Sequence, residues 1–169
     1  DIGQRSGVSV RVSIANQETV MANAIRRATK LGEKMAVPRI TDIPFVVAST
    51  TGKVELENFE DTDESKLLDE FSRKAVLSVF ARYYECSDLE EIIRQYNGGF
   101  TTEISDMMPA GLYVRTMKEV PGFSKAVRRM GQAETPEVVA SVMELILKGL
   151  HLNKRLNKTK SGGTSVFTG

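Results

Sequence analysis

Between Thr135 and Leu150 the sequence is committed to one long buried helix. Thr135 and Pro136 occupy N-cap and first-turn positions, and Val139, Val142, Met143, Ile146 and Leu150 follow at helical spacing. A threonine hydroxyl can accept from one of the orphan amides of a first turn, and proline lacks the amide that would go unpaired there. Steps of three and four then stack the apolar side chains on one face, which has to be covered by other elements.

Those other elements are legible by the same periodicity. From about Val8 to Leu31, the residues Val10, Ile14, Met21, Ile25 and Ala28 trace one helical face, with Gly32 as the stop. The segment AVPRITDIPFVVASTTG holds a short apolar helix after Thr41 or Asp42, with Pro44 in its first turn, and closes at Gly52. Leu68, Phe71, Ala75, Val79 and Tyr83 mark the buried face of a long helix. Ser87 and Glu90 match a capping box, opening a helix that buries Leu89, Ile92, Ile93 and Tyr96 and ends at Gly98 and Gly99. Shorter helices are predicted over residues 109–117 and 123–130. The polar tail from Lys158 to Gly169 carries no stripe and is expected to be poorly ordered unless docked.

The class these elements imply is all-α, predominantly helical. KVELE, residues 53–57, alternates apolar and charged side chains, but no partner strand is in view, and it reads as an extended linker. A heavily acidic stretch from Glu55 to Glu70 separates two helical units, so the chain divides near residue 58 into 1–58 and 59–169.

Composition narrows the function classes. With 169 residues, 41% of them hydrophobic and 27% charged, the chain can bury a core without disulfides or metals. No apolar run approaches the roughly 18 to 20 residues of a bilayer span. The first thirty residues carry no secretory leader pattern, and the single cysteine, Cys86, has no internal partner. The expected setting is therefore cytoplasmic and off the membrane. A net charge of +1 gives no long-range pull toward nucleic acid. The chain starts at Asp1 and passes from a Gly- and Ser-containing stretch straight into a helix, which reads as a piece of a longer protein.

Side chains with catalytic potential are sparse. There is no GxxxxGK[ST] loop to cradle phosphates and no apolar strand ending in paired acids for magnesium, so this chain is not expected to be an enzyme by itself. His151 is the only histidine, and without HxxxH or CxxC companions it reads as a packing or helix-terminus residue. Cys86 could have its thiol acidified by the helix that follows, but reads as a half-buried linker residue. The acidic run Glu55, Glu57, Glu60, Asp61, Asp63 and Glu64 lacks the glycine and bidentate glutamate of a calcium loop. Lys148, Lys154, Arg155, Lys158 and Lys160 make the end of the chain locally basic. No interleaved aromatic platform accompanies them, and cations also suit a helix C-terminus, which argues against nucleic acid as the partner.

The sharpest local motif is RSGVSVR, residues 5–11. Gly7 permits a tight turn, Ser9 can cap a helix, and Arg11 projects from the first turn as a planar fork suited to phosphate oxygens. A GxSxR pattern alone more often describes a surface arginine beside an ordinary cap. Read on through RSGVSVRVSIANQETVMANAIRRA and VPRITDI, and again at STTGKVELE (49–57) and MELILKGLHLNKRLNK (143–158), the chain resembles the C-terminal region of magnesium-chelatase-like AAA+ ATPases, near the MoxR group. The resemblance implies an AAA+ lid over 1–58 and a helical extension over 59–169. It makes Arg11 the sensor-2 arginine that reads the γ-phosphate of ATP, and Arg5 a second phosphate or intersubunit contact. ATP and Mg2+ would be held by an N-terminal AAA+ core that this sequence lacks. The parent would be an ATP hydrolase of the magnesium chelatase type, working as a homo-oligomeric ring on a von Willebrand factor A type or chelatase partner protein. The rival readings are a nucleotide-independent helical protein-interaction module and a small helical nucleic-acid binder.

Overall fold

A computed structural model describes residues 10–50, 64–131 and 135–169. Within them the chain is predominantly helical, with seven α-helices: α1 (Val10–Leu31), α2 (Val46–Thr50), α3 (Glu64–Tyr83), α4 (Glu90–Asn97), α5 (Ala110–Glu119), α6 (Phe123–Arg129) and α7 (Pro136–Leu152). Two 3-10 turns, Ile40–Phe45 and Cys86–Leu89, lead into α2 and α4.

The hub is α7. Val139, Ala140, Met143, Ile146, Leu147 and Leu150 are wholly buried, and α3, α5, α6 and the Ile40–Phe45 turn all pack around them. The predicted stripe of this helix is the observed one. Its entry is made differently from expectation: Thr135 has the extended backbone of an N-cap and Pro136 begins the helix, but the Thr135 hydroxyl is buried without a hydrogen-bond partner. Backbone geometry and the proline ring set the start, not a hydroxyl cap.

Two predicted faces are corrected. On α3 and the residue that follows it the buried side chains are Leu68, Val76, Phe80 and Tyr84, while Ala75, Val79 and Tyr83 are exposed. Shifting the lower part of the stripe by one residue turns it about 100° around the helix axis. It lets Phe80 lie over Gly149 of α7, and it lets the Tyr84 hydroxyl donate to the Ala126 carbonyl at 2.7 Å. On α1 the contrast is larger. Val10, Ile14, Met21 and Ile25 are 37–74% exposed, and the buried side is Val12, Asn23, Ala24, Arg27 and Ala28.

α4 buries Ile92, Ile93 and Tyr96 as expected, but the turn before it is capped two residues earlier than predicted. The Asp88 carboxylate accepts from the Glu85 amide at 3.1 Å, while Ser87 is exposed.

The end of the chain is not a loose tail. β2 (Asn157–Ser161) and β3 (Thr164–Thr168) form a hairpin, and β3 also pairs antiparallel with β1 (Thr102–Ile104), giving the order β1-β3-β2. Gly162 and Gly163, at φ +55° and +84°, make the two-residue turn whose twist matches the strands. Phe167 anchors the hairpin in the core. The predicted linker at 53–57 and the boundary near residue 58 lie outside the described residues.

Candidate functional site

Arg11 lies in the first turn of α1 with its side chain exposed. Its companions in the motif, Arg5, Gly7 and Ser9, lie outside the described residues. Beyond Arg11 the outward face of α1 carries the apolar series Val10, Ile14, Met21 and Ile25.

The opposite face of α1 is held by buried polar contacts that apolar periodicity cannot reveal. Arg27 Nη1 meets Asp42 Oδ1 at 2.5 Å, with both side chains essentially inaccessible to water. The second guanidinium nitrogen donates to the Val37 carbonyl at 2.7 Å. Asp42 also accepts from Asn23 Nδ2 at 3.1 Å and from the Arg39 amide at 2.7 Å, so its charge is surrounded by donors. A buried pair contributes little net stability by itself, but breaking it strands a charge and is costly.

A second cation continues this network into the rest of the fold. The Arg39 side chain donates to Glu33 Oε1 at 2.9 Å and to the Met108 carbonyl at 2.6 Å, and lies over the Tyr113 ring at 5.2 Å. Glu33 Oε1 also accepts from the Ala110 amide at 2.8 Å, at the start of α5.

Glu144 of α7 completes the connection. Its carboxylate accepts from the Tyr113 hydroxyl at 2.5 Å, the Thr41 amide at 2.8 Å and the Thr41 hydroxyl at 3.3 Å. Burial pushes the Glu144 carboxyl above the usual carboxylate range, against the pull of these donors and Arg39. The Ser141 hydroxyl donates to the Pro38 carbonyl at 2.6 Å, and the Lys34 amide to Glu137 Oε1 at 3.1 Å. The segments on either side of residue 58 are thus in direct hydrogen-bonded contact.

The remaining candidates are dispersed. Cys86 is half-buried, and burial pushes its thiol up, so the neighbouring helix does not acidify it. His151 sits at the end of α7 with Nδ1 3.1 Å from the Leu156 carbonyl and its ring edge-on to Phe167. Burial holds its pKa below the usual histidine value. Lys154 and Arg155 are exposed, and Arg155 meets Glu90 at 2.5 Å. Lys148, Lys158 and Lys160 instead line a cavity. Of the acidic run, Glu55, Glu57, Glu60, Asp61 and Asp63 lie outside the described residues.

Among the described residues, no group of three or more His, Cys, Asp or Glu is placed to hold a metal ion, and no helix is long and apolar enough to cross a membrane. No protein-family profile, curated protein or solved structure matches the chain.

Proposed function

We propose that this chain is the non-catalytic C-terminal region of a magnesium-chelatase-like AAA+ ATPase, and that Arg11 senses the γ-phosphate of ATP. The observation that carries the reading is the two-sidedness of α1. Arg11 is exposed at its front, while Arg27, Asp42, Thr41 and Glu144 tie its other side through the Ile40–Phe45 turn to α7. A guanidinium released by hydrolysis at one end of such a helix would move the whole assembly as a rigid body, because packed elements shift between discrete arrangements.

In this reading ATP and Mg2+ sit in an N-terminal core, since the chain has neither a phosphate loop nor paired magnesium-binding acids. The exposed apolar face of α1 supplies a surface on which that core can dock. Arg5 makes a second phosphate or intersubunit contact. The assembly is a cytoplasmic homo-oligomeric ring acting on a von Willebrand factor A type or chelatase partner.

The test uses the complete ATPase with Arg11→Ala, reading nucleotide affinity and phosphate release separately. Losing a charge-assisted hydrogen bond worth about 1.5–3 kcal/mol should slow turnover by about 10- to 100-fold. Unchanged turnover would overturn the sensor role. The exposed apolar series also favours a second reading, a nucleotide-independent interaction module. That reading predicts normal turnover in Arg11→Ala, with loss of a protein partner in Ile14→Glu or Ile25→Glu.

A further inference from the structure

The β2–β3 hairpin folds over the crossing of α3 and α7 and leaves a cavity of about 530 Å³, within the usual size range of small-molecule sites. One side is apolar, formed by Ile40, Ile43, Pro44 and Phe45 of the 3-10 turn together with Val76.

The other side is cationic for a reason set by strand geometry. Lys158 and Lys160 are two residues apart on β2, so they leave the sheet on one face, the face of their cross-strand partners Phe167 and Ser165. Phe167 is a core residue, so both lysines leave the sheet toward its side: Lys158 is half-buried with Nζ 5.3 Å over the Phe167 ring, and Lys160 is exposed at the cavity's edge. Lys148 joins them from α7 and Arg73 from α3.

The acidic groups lining the cavity are already matched to arginines. Asp69 meets Arg73 at 2.8 Å, and Asp106 lies 3.6 Å from Arg26. None of the three lysines forms a salt bridge among the described residues. Burial first, and then repulsion from the Lys148 and Lys160 charges, holds Lys158 at about 8; burial, followed by Arg73 and Lys160, holds Lys148 below the ordinary lysine value. An anion of two charges would relieve that repulsion.

We propose that this cavity binds a phosphate monoester carrying an apolar or aromatic body. The phosphate sits among Lys148, Lys158 and Lys160, where ammonium groups act as point charges toward its oxygens. The body lies against Ile43, Pro44 and Phe45. Phosphate is favoured over a carboxylate because three convergent cations exceed what one negative charge can balance.

Inward lysines on an edge strand have another use, to deter pairing with a further strand, and that use requires no ligand. The two are separated by titrating the chain with 1-naphthyl phosphate near neutral pH, following the probe's fluorescence anisotropy. 1-Naphthol and inorganic phosphate serve as the two halves of the ligand. We expect saturable binding of the ester, tighter than either half. Lys158→Gln and Lys160→Gln should each weaken it about tenfold, and Lys154→Gln less than about twofold. Binding just above pH 8 should take up protons, as the phosphate restores the charge on Lys158 against its burial and the Lys148 and Lys160 charges, with Glu144 and Asp69 opposing them; Arg73 acts on Lys148 instead.

Capture by phosphatidic acid vesicles, lost in the same variants, would place the same ester on a lipid. Binding of the soluble ester without vesicle capture would place it on a free metabolite. Lys160 is exposed, so its variant reports even where Lys158→Gln compromises folding. Absence of saturable binding up to about 10 mM, or binding unchanged in a folded Lys160→Gln, would overturn the proposal.

Discussion

Replacing Gly149 by alanine adds one methyl group where α7 passes directly under the Phe80 ring. A Cβ there would lie 2.0 Å from Phe80 Cδ2, 2.5 Å from Cγ and 2.6 Å from Cε2. Carbon atoms rest at about 3.5–4.0 Å, so α3 and α7 must separate by about 1.5 Å or the Phe80 ring must leave its rotamer. Overpacking of this kind costs about 1–3 kcal/mol, with more where the neighbours cannot move. Alanine recovers up to about 1 kcal/mol of helix propensity over glycine, which does not offset a ring clash held between two buried helices. A net loss of about 2 kcal/mol corresponds to a urea midpoint lowered by about 1 M at a slope of about 2 kcal/mol/M. Phe80→Ala in the same chain deletes all three of the clashing ring atoms, so the double variant should be more stable than the sum of the single changes implies. Gly111→Ala is the internal control. It meets nothing within 4 Å at the start of α5, and should leave stability unchanged or raise it by up to about 1 kcal/mol. A Gly149→Ala protein as stable as the parent would refute the close-approach argument.

Other consequences follow from the buried and half-buried charges. Arg27→Ala should lower stability by about 3–5 kcal/mol, because Asp42 stays buried with its cation gone, and calorimetry should show the matching fall in melting temperature. Arg27→Met paired with Asp42→Leu should regain most of that loss. Lys158, held at about 8 when folded, resists protonation more than in the unfolded chain. Its contribution is therefore complete above the unfolded lysine value and is lost as pH falls toward 8. Stability measured by urea unfolding should rise between about pH 8 and 10.5 by roughly 1 kcal/mol after solvent screening, and Lys158→Met should flatten that rise. Arg11→Ala, at an exposed first-turn position, should change the stability of the isolated chain by less than about 0.5 kcal/mol.

What could be read in advance depended on what kind of side chain does the burying. The stripes of α4 and α7 were legible because aliphatic and aromatic residues make up most of the covered face; the buried Glu137 and Glu144 of α7 gave no such signal. α1 misleads because Asn23 and Arg27 point inward to Asp42, a pairing across nineteen and fifteen positions that hydrophobic spacing cannot detect. Of its conspicuous apolar series only Ala28 is buried; Val10, Ile14, Met21 and Ile25 are outside. On α3, Ala75, Val79 and Tyr83 each precede another apolar residue, Val76, Phe80 and Tyr84. Periodicity cannot choose between faces so close together, and the partner's glycine decides. The hairpin's signal was present in the Gly162–Gly163 pair between short alternating segments, but the lysines and serines around it gave it the appearance of a solvated tail. For the candidate site, the GxSxR motif located Arg11 at the front of its helix. The contacts that hold that helix to α7 became visible only in three dimensions.

Because β3 lies between β1 and β2, the middle strand of the sheet is also the last to be synthesised. β1 ends at Ile104, some sixty residues before its partner leaves the ribosome, and until then its ladder groups have only water to bond. The helices can collapse around α7 as they emerge, but the sheet closes by joining segments far apart in sequence, which is slow for entropic reasons. Removing residues 157–169 should therefore leave a helical species with native-like far-ultraviolet dichroism and loosened side-chain packing. Through Phe167 and the β1–β3 ladder, the hairpin ties segments some sixty residues apart to one core.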